Sequence, residues 1–244
     1  MFSILMSVYF KEKALYLEEC FYSIETQTLR PGEIVLVEDG PLDDELYGVI
    51  SKWEARLPIR RVILDSNVGL GIALNKGLEY CSFPLVARMD TDDLCVPDRF
   101  EKQVKIFNSQ NVDVCGSWIS EFESDSNVIS MIRTLPESHS DLVSYSKFRN
   151  PMNHPSVMFR LDRVKSSGGY ENVRFFEDYY LWLKLLSTGS RFYNIQEPLV
   201  NMRAGMNQLA RRSGLSYAID EYKFLYKSWK SGFLTFFSSQ DVVF

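Results

Sequence analysis

Carboxylates that directly follow apolar runs are the residues of this sequence best placed to do chemistry. Glu38-Asp39 follows Glu33–Val37, Asp65 follows Arg60–Leu64, and Asp90-Thr91-Asp92-Asp93 follows Phe83–Met89. Three acids within four residues repel one another unless something neutralises them. A hard divalent cation would do so, because Mg²⁺ and Mn²⁺ take carboxylate oxygens and keep positions open for phosphate. The alternative is that these acids complement the N-terminus of a helix starting near Pro97. Both hold together if Asp93 caps the helix while Asp90 and Asp92 serve the metal. Glu177-Asp178 opens a later helix and also has two readings: a complement to the helix dipole, or a general base beside a sheet crevice.

Other features carry less. Gly69-Leu70-Gly71 begins like a dinucleotide loop, but position 74 is Leu and the segment does not follow the first strand. Its glycines are expected to let a helix start pack close to the sheet. No phosphate-binding G-x-x-x-x-G-K-[ST] exists. His154 lies in a proline-flanked run and is either a satisfied structural residue or a substrate contact. His139 carries no functional expectation. Cys20, Cys81, Cys95 and Cys115 are widely spaced without C-x-x-C, which implies reduced thiols and neither a zinc site nor a disulfide framework.

The elements that must position these acids alternate. Strand-like Ser3–Tyr9, Glu33–Val37, Arg60–Leu64 and Phe83–Met89 are separated by helix-like Lys13–Thr28, Asp43–Arg56 and Asn67–Tyr80. Strands alternating with helices imply βαβ units and a mostly parallel sheet, with ligands at the carboxyl ends of the strands. After residue 110 the pattern changes. Val112–Phe122 and Val128–Arg133 read as antiparallel strands around Asp125-Ser126-Asn127, and Ser156–Phe159, Arg191–Ile195 and Leu199–Arg203 as short strands. Glu177–Ser187 and a last stretch of roughly Asn207–Ser231 read as helices.

Composition limits the function classes. The 244 residues include 27 Lys+Arg and 32 Asp+Glu, a net charge of −5, with 45% apolar and 24% charged residues. These values exclude a disordered or collagen-like chain, and the acidic balance argues against a nucleic-acid partner. A core of substantial size fits this length. No run reaches the roughly 18 apolar residues of a spanning helix. The apolar Met1–Phe10 lacks a basic leader and a cleavage site, and reads as a buried first strand. The expectation is a soluble, cytoplasmic protein.

Six segments, in order, resemble a family 2 glycosyltransferase of the GT-A fold. They are Met6-Ser7-Val8-Tyr9, Val37-Glu38-Asp39-Gly40, Asn67–Gly77, Ala87-Arg88-Met89-Asp90-Thr91-Asp92-Asp93, Asn150-Pro151-Met152-Asn153-His154-Pro155 and Glu177–Leu183. The likeness covers about residues 2–205 and is greatest to short bacterial enzymes that build O-antigen or exopolysaccharide repeat units. It implies an α/β fold with a mostly parallel, Rossmann-like sheet, a smaller antiparallel acceptor-side portion and a C-terminal helical tail. Residues 1–205 would form the catalytic domain, with 1–110 binding the nucleotide sugar and 111–205 the acceptor; 206–244 would form the tail.

The resemblance also assigns roles. Ser7, Val8, Tyr9 and Asp39 would hold uracil and ribose, with Glu38, Asn67 and Arg88 in the same nucleotide-sugar set. Asp90 would contact the ribose or the metal, and Asp92 would be the principal ligand of Mn²⁺ or Mg²⁺. Asp178 matches the catalytic base, with Glu177 as its neighbour, and His154 falls on the acceptor side. Arg203 either reaches the diphosphate or is an ordinary surface arginine. Two departures are visible: Glu38-Asp39 replaces the usual pair of aspartates, and the Q-x-x-R-W motif of processive polymerases is missing. One sugar per acceptor is therefore expected. The implied reaction is inverting transfer of a hexose, galactose first and glucose next, from a UDP-sugar to a lipid-diphosphate-linked N-acetylhexosamine through a β1,3 bond. Competing readings are a sugar nucleotidyltransferase, whose basic glycine-rich signature Ser7–Lys11 lacks, and a non-catalytic sugar- or lipid-binding module. Asp90, Asp92 and Asp178 together argue against the latter.

Aromatic residues make up 14% of the chain and crowd the tail, among them Tyr217, Tyr222, Phe224, Tyr226, Trp229, Phe233, Phe236 and Phe237. Six basic residues (Arg203, Arg211, Arg212, Lys223, Lys227, Lys230) accompany two acids (Asp220, Glu221) between Arg203 and Lys230. Such a helix suits a peripheral membrane contact at the inner face of the cytoplasmic membrane. Packing on the catalytic domain and a dimer contact are the alternatives.

Overall fold

A computed structural model describes residues 1–204 and 214–233. In the first half, β1 (Ser3–Val8), α1 (Ala14–Glu25), β2 (Glu33–Glu38), α2 (Asp44–Glu54), β3 (Ile59–Ile63), α3 (Leu70–Tyr80) and β4 (Leu85–Arg88) follow one another. The second half runs β5 (Leu94–Cys95), α4 (Arg99–Ser109), β6 (Val114–Phe122), β7 (Ile129–Arg133), α5 (His139–Tyr145), β8 (Met158–Arg160), α6 (Leu161–Ser166), α7 (Glu177–Ser187), β9 (Phe192–Arg203) and α8 (Leu215–Lys230). A 3₁₀ turn, His154–Ser156, precedes β8.

All nine strands share one sheet in the order β3-β2-β1-β4-β8-β6-β9-β5, with β7 paired to β6. The pairs β3-β2, β2-β1, β1-β4 and β6-β9 are parallel, and β8, β7 and β5 pair antiparallel. The alternating faces of the strands divide the core into two layers. Ile4, Met6, Ile34 and Leu36 pack with Leu17, Phe21, Trp53 and Phe100 of α1, α2 and α4. Leu5, Val35 and Val37 pack with Leu74, Leu78, Leu181 and Trp182 of α3 and α7.

Three differences from the sequence expectation have physical causes. Arg191–Ile195 and Leu199–Arg203 are parts of one strand, because register shifts around Trp118 let β9 carry Pro198 past β6. Gly69 and Gly71 do not provide the close helix–sheet approach. Gly69 has φ +89 as the residue before α3, whereas Gly77 makes the approach: a β-carbon there would lie 2.3 Å from Leu5 Cδ1 and 2.8 Å from Val37 Cγ2. The acidic turn does not cap the helix near Pro97, since β5 intervenes and α4 starts at Arg99 after Asp98.

Residues 207–213 of the expected last helix, with Arg211 and Arg212, lie outside the described residues, as do Phe236 and Phe237. The described helix α8 packs one face on the domain. Phe224 is buried and stacks on Phe176 at 4.8 Å, and Lys227 pairs with Glu171. Tyr222, Tyr226 and Trp229 stay exposed on the other face. No helix among the described residues is long and apolar enough to cross a membrane. All four cysteines are buried and free.

Gly77→Ala sets two effects in opposition. Alanine favours a helix by about 1 kcal/mol, but overpacking a filled core costs roughly 1–3 kcal/mol. A net loss of up to about 2 kcal/mol in a urea titration is expected; a gain would show that Leu5 and Val37 yield freely.

Candidate active site

β1 has β2 on one side and β4 on the other, so the chain direction of the sheet order reverses at its carboxyl end. Two cavities open there. One, of about 690 Å³, is lined by Ser7, Tyr9, Asp39, Asn67 and Arg203. The other, of about 610 Å³, is lined by Arg88, Asn150, His154, Glu177 and Asp178. Leu70, Asp90, Asp92 and Phe175 line both, so the acidic turn is the border between them.

Buried cations hold that turn. Arg88, 1% exposed, pairs with Asp90. Arg203, 7% exposed, donates its backbone N–H to Asp93 Oδ1 at 2.8 Å and its Nε to the Asp92 carbonyl at 3.1 Å, and its far end reaches Glu19 at 2.5 Å. Arg203 is thus a buried brace that also borders the first cavity. Of the two readings its sequence allowed, the surface arginine is excluded.

The acids remain incompletely neutralised. Burial, then the charges of Asp90 and Glu12, push the Asp92 carboxyl up to about 7. Burial and the charges of Asp92 and Asp90 also hold Asp93 well above the carboxylate range, and its Oδ2 has no hydrogen-bond partner among the described residues. No group of three His, Cys, Asp or Glu suited to a metal exists among those residues. Asp90 and Asp92 still fit a cation that draws the rest of its shell from phosphate and water, the usual habit of Mg²⁺.

Around the first cavity, Asp39 organises the loop before α3. Its carboxylate accepts from Val68 N at 2.7 Å, Asn67 Nδ2 at 3.0 Å and Gly69 N at 3.1 Å. Glu38 faces the opposite side of β2, where it is fully buried and bound by Arg61 Nε and Nη2. It lines neither cavity, nor do the core residue Val8 and Asp65.

Around the second cavity, α7 presents Glu177 and Asp178 in its first turn. Asp178 Oδ2 accepts from Asn150 Nδ2 at 2.7 Å, and its Oδ1 from Tyr179 N at 2.7 Å. Burial, reinforced by the Asp178 charge, pushes Glu177 up to about 7. His154 is half-buried, with Nε2 3.0 Å from the Tyr170 hydroxyl and its ring edge-on to Trp182. Burial and the Arg88 charge keep it well below the usual imidazole range, so it is neutral. It therefore meets its structural reading while also lining the cavity.

Sequence reasoning singled out neither Asn150 as the partner of Asp178 nor Phe175 as the residue between the cavities. Asn150 stood inside a recognised segment, and its amide beside a required carboxylate was the available signal. Phe175 has φ 67, a left-handed conformation that no bulky side chain advertises. Tyr217 of α8 packs on it at 5.6 Å.

A model of the family described as glycosyl transferase family 2 matches residues 3–166. The amylovoran biosynthesis glycosyltransferase AmsE of Erwinia amylovora is 43% identical over 222 residues, 91% of this chain and 83% of that one. The UDP-Gal:alpha-D-GlcNAc-diphosphoundecaprenol beta-1,3-galactosyltransferase of Escherichia coli is 40% identical over 237 residues, 96% of this chain and 86% of that one. Among solved structures, S. aureus TarS 1-349 in complex with UDP-GlcNAc superposes with a TM-score of 0.72 at 16% identity, covering 92% of this chain and 65% of that one. The mannosyltransferase PcManGT from Pyrobaculum calidifontis, in complex with GDP-Man and Mn2+, gives 0.65 at 16%, covering 95% and 72%. At those identities the likeness concerns the fold, which is that of GT-A glycosyltransferases.

The raised Glu177 carboxyl has a stability consequence. Unfolded, the group titrates near 4.5; folded, at about 7. Its destabilising contribution is absent below the lower value, grows between the two and is complete above the higher. Glu177→Gln is expected to stabilise the ligand-free protein by roughly 1–3 kcal/mol at about pH 8 and to change little at about pH 4. Urea titrations at both values check this, and equal changes at both would point to packing instead of charge.

Proposed function

The chain belongs to glycosyl transferase family 2, and from that premise we propose that it moves one hexose from a UDP-sugar to an N-acetylhexosamine carried on a lipid diphosphate. The observation that carries this is the pair of cavities meeting at Asp90 and Asp92, one bordered by Asp39 and the other by Asp178. We assign residues 1–110 to the donor and 111–205 to the acceptor. Galactose is the preferred sugar and glucose the next. The linkage is β1,3, the one printed in the name of the E. coli relative.

Asp39 uses three acceptor positions on its own loop, and a carboxylate offers about four. One remains for a ring N–H of uracil, beside Ser7 and Tyr9. Asn67 acts through Asp39, which it holds. Asp90 and Asp92 would hold Mn²⁺ or Mg²⁺, which supplies charge stabilisation for the departing diphosphate. Lys11 and Lys13 line the same cavity and add positive charge.

Asp178 acts as the general base, oriented by Asn150. As the acceptor hydroxyl forms its bond to the anomeric carbon, Asp178 takes the hydroxyl proton. The bond from that carbon to the diphosphate breaks on the opposite face and UDP leaves with the electron pair. A single displacement turns an α-linked donor into a β-glycoside. The enzyme would work at the cytoplasmic face of the inner membrane, with the exposed ridge of α8 as a peripheral contact.

Release of UDP from a panel of UDP-sugars, with a GlcNAc-diphosphate-lipid acceptor and Mn²⁺, tests the assignment; UDP-galactose is expected to give the fastest release. Asp178→Asn should lower kcat by about 10²-fold or more, in the range of general-base catalysis, while UDP still binds. Normal turnover would place the base elsewhere. Asp92→Ala and EDTA should each abolish transfer, and full activity after either would remove the metal role.

A further inference from the structure

A lipid-diphosphate acceptor brings a second diphosphate into the reaction, and this inference rests on the function proposed above. The donor cavity has Lys11 and Lys13 for its own diphosphate, joined by the cation that Asp90 and Asp92 would hold. The acceptor cavity is dominated by carboxylates: Asp90, Asp92, Glu177 and Asp178. A second anion needs cations away from that cluster, and the same cavity supplies two, Arg133 and Arg149. Arg149 is exposed, directly precedes the Asn150 that binds Asp178, and pairs with no carboxylate among the described residues. Arg133 is fixed by an ion pair with Glu121 while its side chain remains 37% exposed.

What lies beside these arginines is apolar. Arg133 ends β7, and Val128, Ile129, Met131 and Ile132 of the β6–β7 hairpin are 66%, 43%, 51% and 51% exposed. An exposed strand ordinarily turns polar side chains to water. A contiguous apolar patch with a polar rim marks an interaction site. Met131 and Ile132 also line the acceptor cavity, so the patch continues out of the site. A guanidinium fork suits phosphate oxygens, and one cavity holds the base, the two arginines and the apolar Met131 and Ile132, which are the groups that a sugar, a diphosphate and a hydrocarbon chain would each need.

We propose that Arg149, with Arg133 beside it, binds the acceptor's diphosphate and that the β6–β7 hairpin seats the first part of its isoprenoid chain. Asp178 would then meet the sugar hydroxyl at a distance from the lipid set by this anchor. The acceptor is selected by its carrier as well as by its sugar.

The test is calorimetric titration of the full chain with farnesyl diphosphate, inorganic pyrophosphate and UDP. Arg149→Ala should weaken farnesyl diphosphate binding about tenfold or more, as expected for a charge-assisted hydrogen bond, and leave UDP binding unchanged. Arg149→Lys should keep part of the affinity. Ile132→Ser should weaken farnesyl diphosphate but not pyrophosphate. In transfer assays, Arg149→Ala should lower by a similar factor the preference for GlcNAc-diphosphate-lipid over an alkyl GlcNAc lacking the diphosphate. Unchanged farnesyl diphosphate binding in Arg149→Ala, or an equal loss of UDP binding, would overturn the subsite. So would an Ile132→Ser protein that changes only its oligomeric state. These binding losses in the variants, together with a wild-type chain that transfers no sugar to any lipid diphosphate, would refute the function and leave the subsite standing.

Discussion

Asp90, Asp92 and Asp93 follow one another at the end of β4, and two buried arginines from opposite sides keep them there. Arg88 meets Asp90 from the strand itself, and Arg203 arrives from the end of β9 to hold both the Asp93 carboxylate and the Asp92 carbonyl. Removing the Arg88 guanidinium would leave Asp90 without its ion-pair partner beside Asp92 and Asp93, and removing that of Arg203 would free the Asp92 carbonyl and Glu19 while the backbone N–H to Asp93 stayed. The second arginine also joins the halves of the sheet. It brings the end of β9 to the turn that follows β4, and that turn is a common wall of both cavities. Behind it, buried Arg99 bonds the Arg88 carbonyl at 2.7 Å and Gln103 at 3.1 Å, while Gln103 reaches the carbonyls of Cys115 and Ser156. The acidic turn therefore rests on a polar network with little freedom to relax.

The two cavities are stiffened differently. Around the cavity lined by Ser7 and Asn67, one carboxylate does the work: Asp39 gathers three donors and fixes the loop into α3. Around the cavity lined by Glu177 and Asp178, aromatic packing takes over. Phe176 stacks on Phe224 of α8, Tyr179 touches the same ring at 4.8 Å, and Phe175 is held left-handed against Tyr217. Helix α8 is thereby part of the support of the Glu177-Asp178 turn, and Lys184 and Lys227 pair with Glu171 in the preceding loop. A residue in a strained backbone conformation between two sites persists only when its surroundings determine it, and the ring stack provides that.

Much of this was legible in the sequence because the relevant signals are local. Glu33–Val37 is an apolar run too short for a helix, and it is a strand. Glu177–Ser187 carries helical periodicity, and the helix has those bounds. What was not legible depended on pairing across the chain. Gln196-Glu197-Pro198 looks like a break, and only the irregular register with β6 makes β9 continuous. Leu94–Cys95 is too short to announce a strand. Glu38 and Asp39 looked equivalent as neighbours in one motif, yet strand alternation sends them to opposite sides, where Arg61 takes the first. The capping role for the acidic turn failed because Asp93 found its donor 110 residues away. Asn150 and Asp178 are 28 residues apart and meet only in the folded chain.

With Asp178 proposed as the base on one side of the acidic turn and the diphosphate proposed to depart on the other, the reaction is a single displacement. The configuration of the new glycosidic bond reports this directly. The anomeric proton coupling of the product formed from UDP-galactose, read by nuclear magnetic resonance, should be the large one of a β-galactoside. The small coupling of an α-galactoside would mean retention, and would contradict both the role of Asp178 as base and that of the acidic turn as the border across which the sugar passes.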